Sequence, residues 1–361
     1  MTTYFSITQL TDNDTFDGLA QVSSFGDVVW EHDFSDSDID IQYYNGLTNT
    51  TSTIAIDVNN EFNPRISSFG DVVYEYEYSD TDIDLGFYDV LTDTSDIIIN
   101  SENNELNAQI NGAYIVYQYQ YSETDSDIYL YNIVAGTERA IATTTQNELN
   151  PDIEGNYVVY ESEFSETDSD LYLHNIASGI TTAIATSGNN EHNAQVSENG
   201  NVVYEYDYSE TDTDLYLYNA STGESTALAN SIYDEVNAQI AGNYIAWQAW
   251  DGTDWEVYRH DSLTGSTVQI TDNTVDDIGA QVSTQGYVVW EHFYSASDID
   301  IHLFDGNSTQ WLAASFNNEI NPYISGSYVS WQAWDGSDWE VFRAQLSSTP
   351  IASSVSTSIV G

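Results

Sequence analysis

The chain has no cysteine and no lysine, and its 361 residues include four prolines and one methionine. Without cysteine there are no disulfide staples and no thiolate metal sites, and the sequence carries no mark of a redox compartment. Positive charge is confined to Arg65, Arg139, Arg259 and Arg343 against 59 Asp plus Glu, a formal net charge of −55. DNA, RNA and anionic lipid bind through basic side chains that displace counterions, so all three are excluded as partners. Such a field attracts cations and basic protein surfaces instead. No stretch approaches the roughly 18 apolar residues of a membrane helix, so no membrane insertion is expected. The opening MTTYFSITQL lacks the basic and apolar regions of a secretory signal.

What is present is aromatic bulk and repetition. With 28 Tyr, 12 Phe and 9 Trp, the chain has far too much apolar surface to stay disordered. Aligned on itself it shows eight copies of N-x-E-x-N, whose acidic positions are Asp17, Glu61, Glu105, Glu148, Glu191, Glu235, Asp277 and Glu319, spaced 42 to 44 residues apart. That period fits propeller blades. Within residues 147–187, β-rich runs alternate with the turn clusters EGN, SETDSD and ASG, giving four short strands and no amphipathic helix. In the third strand Leu171 and Leu173 share one face, Tyr172 and His174 the other. A sheet bulky on both faces is sandwiched between neighbours, as blades are in a ring.

The expected fold is therefore all-β: an eight-bladed propeller of four-stranded antiparallel blades over residues 1–346, with a Ser/Thr-rich tail or linker at 347–361. Closure is legible too. SITQLTDN (6–13) matches STVQITDN (266–273), the fourth strand of the sixth copy, so residues 4–11 are expected to complete the last blade. A rival, in which residues 350–353 supply that strand, leaves the match unexplained.

The stretch Asn150-Pro151-Asp152-Ile153-Glu154-Gly155-Asn156-Tyr157-Val158-Val159-Tyr160, followed by D-L-Y-L-H-N, resembles the TolB-type propeller repeat. The resemblance covers roughly residues 4–346 and implies a propeller used as a binding scaffold, sensor or enzyme adjunct. Eight copies depart from the usual six-bladed TolB arrangement.

In a blade running a, b, c, d outward, the d-to-a and b-to-c connections share one face, called here the top. The b-to-c loops carry acids at Asp38, Asp82, Asp125, Asp168, Asp212, Asp254, Asp298 and Asp338. Two residues on stand Asp40, Asp84, Asp127, Asp170, Asp214, Glu256, Asp300 and Glu340. Asp36, Asp80, Glu123, Glu166 and Glu210 add a third acid, and Asp251 and Asp335 sit in two further loops. With the d-to-a acids, just over half of the 59 carboxylates lie on one face. A chain adapted to molar salt would spread them, and clustering favours cation binding or a basic partner.

Alternating carboxylates are the hard oxygen donors Ca²⁺ prefers. The candidate Ca²⁺ ligands are Asp38, Asp40, Asp82, Asp84, Asp125, Asp127, Asp168, Asp170, Asp212, Asp214, Asp298 and Asp300. On an extended strand they would stand about 6.6 Å apart, so the loops must curl to share an ion. The alternative is that these acids cap turns or bond the neighbouring blade. The eight N-x-E-x-N acids form a candidate ring at the channel mouth, for an ion, a ligand or interblade bonds. The flanking Asn63, Asn107, Asn150, Asn193, Asn237 and Asn321 read as turn formers.

Strand b ends in an aromatic in every copy: Phe34, Tyr78, Tyr121, Phe164, Tyr208, Trp250, Tyr294 and Trp334. Trp250 and Trp334, in W-Q-A-W-D-G-[TS]-D-W-E-V-[YF]-R, are the candidate ligand-stacking residues, as in a lectin-like module for a glycan. Trp30, Trp247, Trp290 and Trp331 read as core. The histidines His32, His174, His192, His260, His292 and His302 show no zinc spacing. No nucleophile elbow or phosphate loop occurs, and no copy breaks the symmetry, so no catalytic residue and no enzyme is expected, with a glycan-cleaving enzyme as the remote alternative. The expected protein is a binding or structural propeller whose acidic top face takes Ca²⁺ or a basic protein surface. It is expected outside the cell or at its surface, as a monomer or as part of a larger surface protein.

Overall fold

The computed structural model describes residues 3–35, 38–56, 58–79, 81–209 and 211–348. Eight four-stranded antiparallel sheets follow one another round a ring. The first blade shows the pattern, with strands at Asp17–Val22, Val28–Ser35, Asp38–Asn45 and Thr50–Ala55. Strand b is the most deeply buried. Val28, Val29 and Trp30 are 0, 0 and 1% exposed, because both faces of the blade meet neighbours. Trp247, Trp290 and Trp331 are likewise buried, as core tryptophans should be.

The core is not one mass but eight packets, one per blade interface. Between blades 1 and 2, for example, Val29, Ile41, Tyr43 and Ile54 pack on Ile66, Val72, Tyr74 and Tyr88. Burial on both faces is what makes the β-branched and aromatic strands stable without a second layer.

The ring closes through the N-terminal strand. Tyr4–Gln9 lies antiparallel to Trp339–Ser347, in register from Tyr4↔Ser347 to Gln9↔Phe342, and completes the sheet of Glu319–Ser325 and Tyr328–Trp334. The rival strand at 350–353, and the expected tail from residue 349 onward, lie outside the described residues.

Two of the four arginines serve the framework. Arg343 is 8% exposed, donates from Nη1 to Gly26 O at 2.6 Å and lies over the rings of Tyr44 and Tyr328. Arg259 repeats this with Gly286 O, Tyr244 and Phe304.

Candidate metal sites on the top face

Strand c begins on the top face, and the chain leaving strand d crosses above it to start the next blade. The second acid of each b-to-c pair therefore meets the next blade's first acid. Asp84 accepts from Asn100 Nδ2 at 2.8 Å and Ser101 N at 3.3 Å, while Ser101 Oγ donates to Glu105 Oε1 at 2.7 Å. Asp127 lies close enough to Glu148, and Asp300 to Glu319, for the two acids of each pair to repel. The two acid sets meet at one end of the blades.

Burial is deep. Asp40, Asp84, Asp127, Asp170, Asp214, Glu256, Asp300 and Glu340 are all at most 9% exposed. Asp17, Glu61, Glu105, Glu148, Glu191, Glu235, Asp277 and Glu319 are at most 3% exposed. The second set was expected to rim the channel, and the structure corrects this, sealing it between strands. Asp17 Oδ1 accepts from Trp30 Nε1 at 2.7 Å and faces His32 Nδ1 at 2.8 Å. Asp277 does the same with Trp290 and His292.

The cause is a bulge. Glu61 pairs Tyr76 but Arg65 pairs Val73, so one extra residue turns Glu61 and Arg65 to opposite faces. The extra residue is the Asn of the motif: Asn63, Asn107, Asn150, Asn193, Asn237 and Asn321 have φ between 50 and 56°. Their reading as turn formers holds.

Carboxylates gather closely enough for a shared ion in two groups among the described residues: Asp251, Asp254 and Glu256, and Asp335, Asp338 and Glu340. In each, one oxygen per residue lies within 4.8 Å of the others. Bonds of 2.3–2.6 Å to a central Ca²⁺ span that spread. Both groups sit in the duplicated D-G-[TS]-D-W-E loop, where Gly252 at φ 103° and Gly336 at φ 112° bend the chain back. Asp251 Oδ1 fixes the turn by accepting from Thr253 N and Asp254 N, and Asp335 accepts from Ser337 N and Asp338 N.

Asp254 and Glu256 are 4 and 0% exposed, Asp338 and Glu340 8 and 0%. Yet Asp254 Oδ2, Glu256 Oε2, Asp338 Oδ2 and Glu340 Oε2 have no hydrogen-bond partner among the described residues. A buried carboxylate oxygen without a partner is costly unless a cation faces it. Burial accordingly pushes the Glu256 and Glu340 carboxyls above their ordinary range.

The twelve aspartates expected to bind calcium belong to the six other blades. There Asp38, Asp82, Asp125, Asp168, Asp212 and Asp298 stand half-buried beside their buried partners, and no third carboxylate closes to the same distance among the described residues. Asp36, Asp80 and Glu210 lie outside the described residues. Asp254, Glu256, Asp338 and Glu340 were missed as ligands, although the D-G-x-D-W-E duplicate was visible. It was read for its tryptophans. Trp250 and Trp334 are only partly exposed, each edge-on at 5.6 Å to its cross-strand partner, Trp255 or Trp339. The freely exposed aromatics are their counterparts, Phe34 at 69%, Tyr208 at 68% and Tyr78 at 59%.

Along the axis runs a cavity of about 630 Å³. Gln21, Gln109, Gln195, Gln239 and Gln281 line it from equivalent positions, interrupted by Arg65, Asp152 and Tyr323. Burial raises Asp152 to about 6 and Glu154, beside it, to about 7.

No protein-family model and no curated protein sequence matches the chain. Solved structures do, at low identity. Porphyromonas gingivalis dipeptidyl peptidase 4 aligns at TM-score 0.65 and 11% identity, over 90% of this chain and 56% of that one. The β-propeller domain of the Trilobed protease from Pyrococcus furiosus aligns at 0.59 and 14%, over 84% and 97%. An oligogalacturonate lyase in complex with manganese aligns at 0.59 and 11%, over 95% and 93%. The chain thus spans about half the length of the dipeptidyl peptidase. These likenesses show the propeller fold. The narrower TolB type is not shown, since no family model matches the chain. They also correct the expectation of a non-catalytic binding or structural propeller. Several of the propellers this chain resembles belong to peptidases or to an oligogalacturonate lyase, so a binding-only role is withdrawn.

Proposed function

We propose that the chain is a calcium-charged propeller that serves an enzyme as its propeller module. The observation that carries the calcium is the pair of D-G-x-D-W-E loops, with buried carboxylate oxygens converging and unpartnered. Their donors are all oxygen, without nitrogen or sulfur, which suits a hard cation. The flexible 6–8-fold shell of Ca²⁺ tolerates an irregular loop better than the strict octahedron of Mg²⁺. The enzyme role draws support from the peptidase neighbours, of which a domain of this fold makes up about half the chain.

Calorimetric titration of chelator-treated protein at low salt tests the reading. Two Ca²⁺ per chain and a raised melting temperature are expected, with a weaker response to Mg²⁺. No heat and no thermal shift with millimolar Ca²⁺ would end it.

A second reading is a glycan-cleaving enzyme, the class of the lyase neighbour. It is favoured by the break in the channel's amide ring at Arg65, Asp152 and Tyr323. Cleavage of an acidic oligosaccharide that is lost in Arg65→Gln but kept in Gln195→Ala would support it. No cleavage by the wild type would dismiss it.

A further inference from the structure

We propose that a divalent cation held by Asp335, Asp338 and Glu340 sits at the seam between the last blade and the first, and fastens the non-covalent closure of the ring. This rests on the reading of the loop as a cation site and adds what that site does.

Three bonds of the seam repeat those of the junction between blades 6 and 7. There Asn273 N donates to Glu256 Oε1 at 2.6 Å, Asn273 Nδ2 donates to Asp277 Oδ2 at 2.5 Å, and Val257 N donates to Thr271 Oγ1 at 2.8 Å. At the seam Asn13 N donates to Glu340 Oε1 at 2.9 Å, Asn13 Nδ2 to Asp17 Oδ2 at 2.6 Å, and Val341 N to Thr11 Oγ1 at 2.8 Å.

Connectivity sets the two apart. In blade 6 the outer strand Ser266–Gln269 follows from the blade's own Trp255–Asp261 through a tight turn. In blade 8 the outer strand Tyr4–Gln9 arrives from the other end of the chain. It is held by its ladder to Trp339–Ser347, by Phe5 in the core packet, and by the Glu340 and Thr11 bonds.

Glu340 is the coupling element. Its Oε1 holds Asn13, while its buried Oε2 has no partner among the described residues. The Asp14 and Asp17 carboxylates of the first blade lie close enough to repel Asp338. An ion on the triad fixes the carboxylate that grips Asn13 and cancels a repulsion that pushes the two chain ends apart. At blade 6 the same ion would act on a junction the chain already holds covalently.

Hydrogen exchange on the whole chain, with and without CaCl₂ after chelation, tests this, beside calorimetry on the same samples. Asp335→Asn and Asp251→Asn are the variants, each in an exposed turn where asparagine still accepts the turn bonds. Calcium is expected to slow exchange in residues 4–9 at least tenfold in the wild type and in Asp251→Asn, but not in Asp335→Asn. If calorimetry shows calcium on the Asp335 site while exchange at residues 4–9 does not respond, the seam inference falls and the calcium reading stands. If the wild type takes no calcium, both fall.

Discussion

The carboxylate of Glu75, in strand b of the second blade, accepts the backbone N–H of Asn107 in the third at 2.8 Å. The bond recurs as Glu31 to Asn63, Glu161 to Asn193, Glu205 to Asn237 and Glu291 to Asn321, at 2.7 to 2.9 Å. It forms a partial girdle that reads the bulge of a blade from its neighbour. In blade 6 Gln248 does the same for Gly279 N at 2.9 Å, so a neutral amide suffices.

The Glu75 bond is buried, with the side chain 3% exposed, and Glu75→Ala would orphan Asn107 N. Losing a bond to a charged acceptor and stranding its donor costs about 2 kcal/mol. Glu75→Gln keeps an acceptor and is expected to change stability by under about 1 kcal/mol, as the natural Gln248 suggests. Urea unfolding of the two variants checks this, and equal losses would refute the girdle.

Leu19 stands at the bulge position held elsewhere by asparagine or glycine, with φ at 52° and 45% exposure. The left-handed region strains a branched apolar residue by roughly 1–2 kcal/mol, a strain asparagine tolerates better. Leu19→Asn should therefore stabilise the protein by about 1 kcal/mol, seen as a higher urea midpoint. A fall in the midpoint would show that Leu19 earns its place by packing at the channel mouth.

Much of this was legible beforehand. The count of blades followed from the repeat period, the closing strand from the match of residues 6–13 to 266–273, and the shared end of the two acid sets from strand direction. Which acids approach one another did not, because that depends on loop curvature. The six S-x-x-D-x-D turns keep their aspartates on a strand edge, and Gly252 and Gly336 fold Asp251 and Asp335 back over their partners. The ring acids were misplaced for a similar reason. Without the bulge, Glu61 and Arg65 fall on one face by simple alternation, and the one-residue slip sends Glu61 into the blade.

The buried acids set a pH dependence. Burial and the neighbouring acids raise Asp127 to about 6, and burial raises Glu105 and Glu319 to about 7. Unfolded carboxyls titrate near 4, so between pH 4 and 7 the folded state binds more protons and stability falls as pH rises. Ion-free protein is therefore expected to melt at a higher temperature at pH 5 than at pH 8. Melting curves in chelator across that range measure it, and a flat or rising trend would mean these carboxyls titrate normally.

Calcium should reverse the sign of one substitution. Glu256 is fully buried, with Oε1 on Asn273 N and Oε2 unpartnered, beside Asp254 and Asp277. Without an ion, Glu256→Gln keeps the Asn273 bond and removes a buried charge that its neighbours repel. Removing an uncompensated buried charge is stabilising, here by about 1 kcal/mol or more. With saturating Ca²⁺ the wild type gains the binding free energy, which at 100 times the dissociation constant is about 2.7 kcal/mol per site. Glu256→Gln loses one of its two such gains and becomes the less stable protein. Unfolding both proteins in chelator and in excess Ca²⁺ therefore gives a crossing of their order, and an unchanged order in the two conditions would show that no cation settles on Glu256.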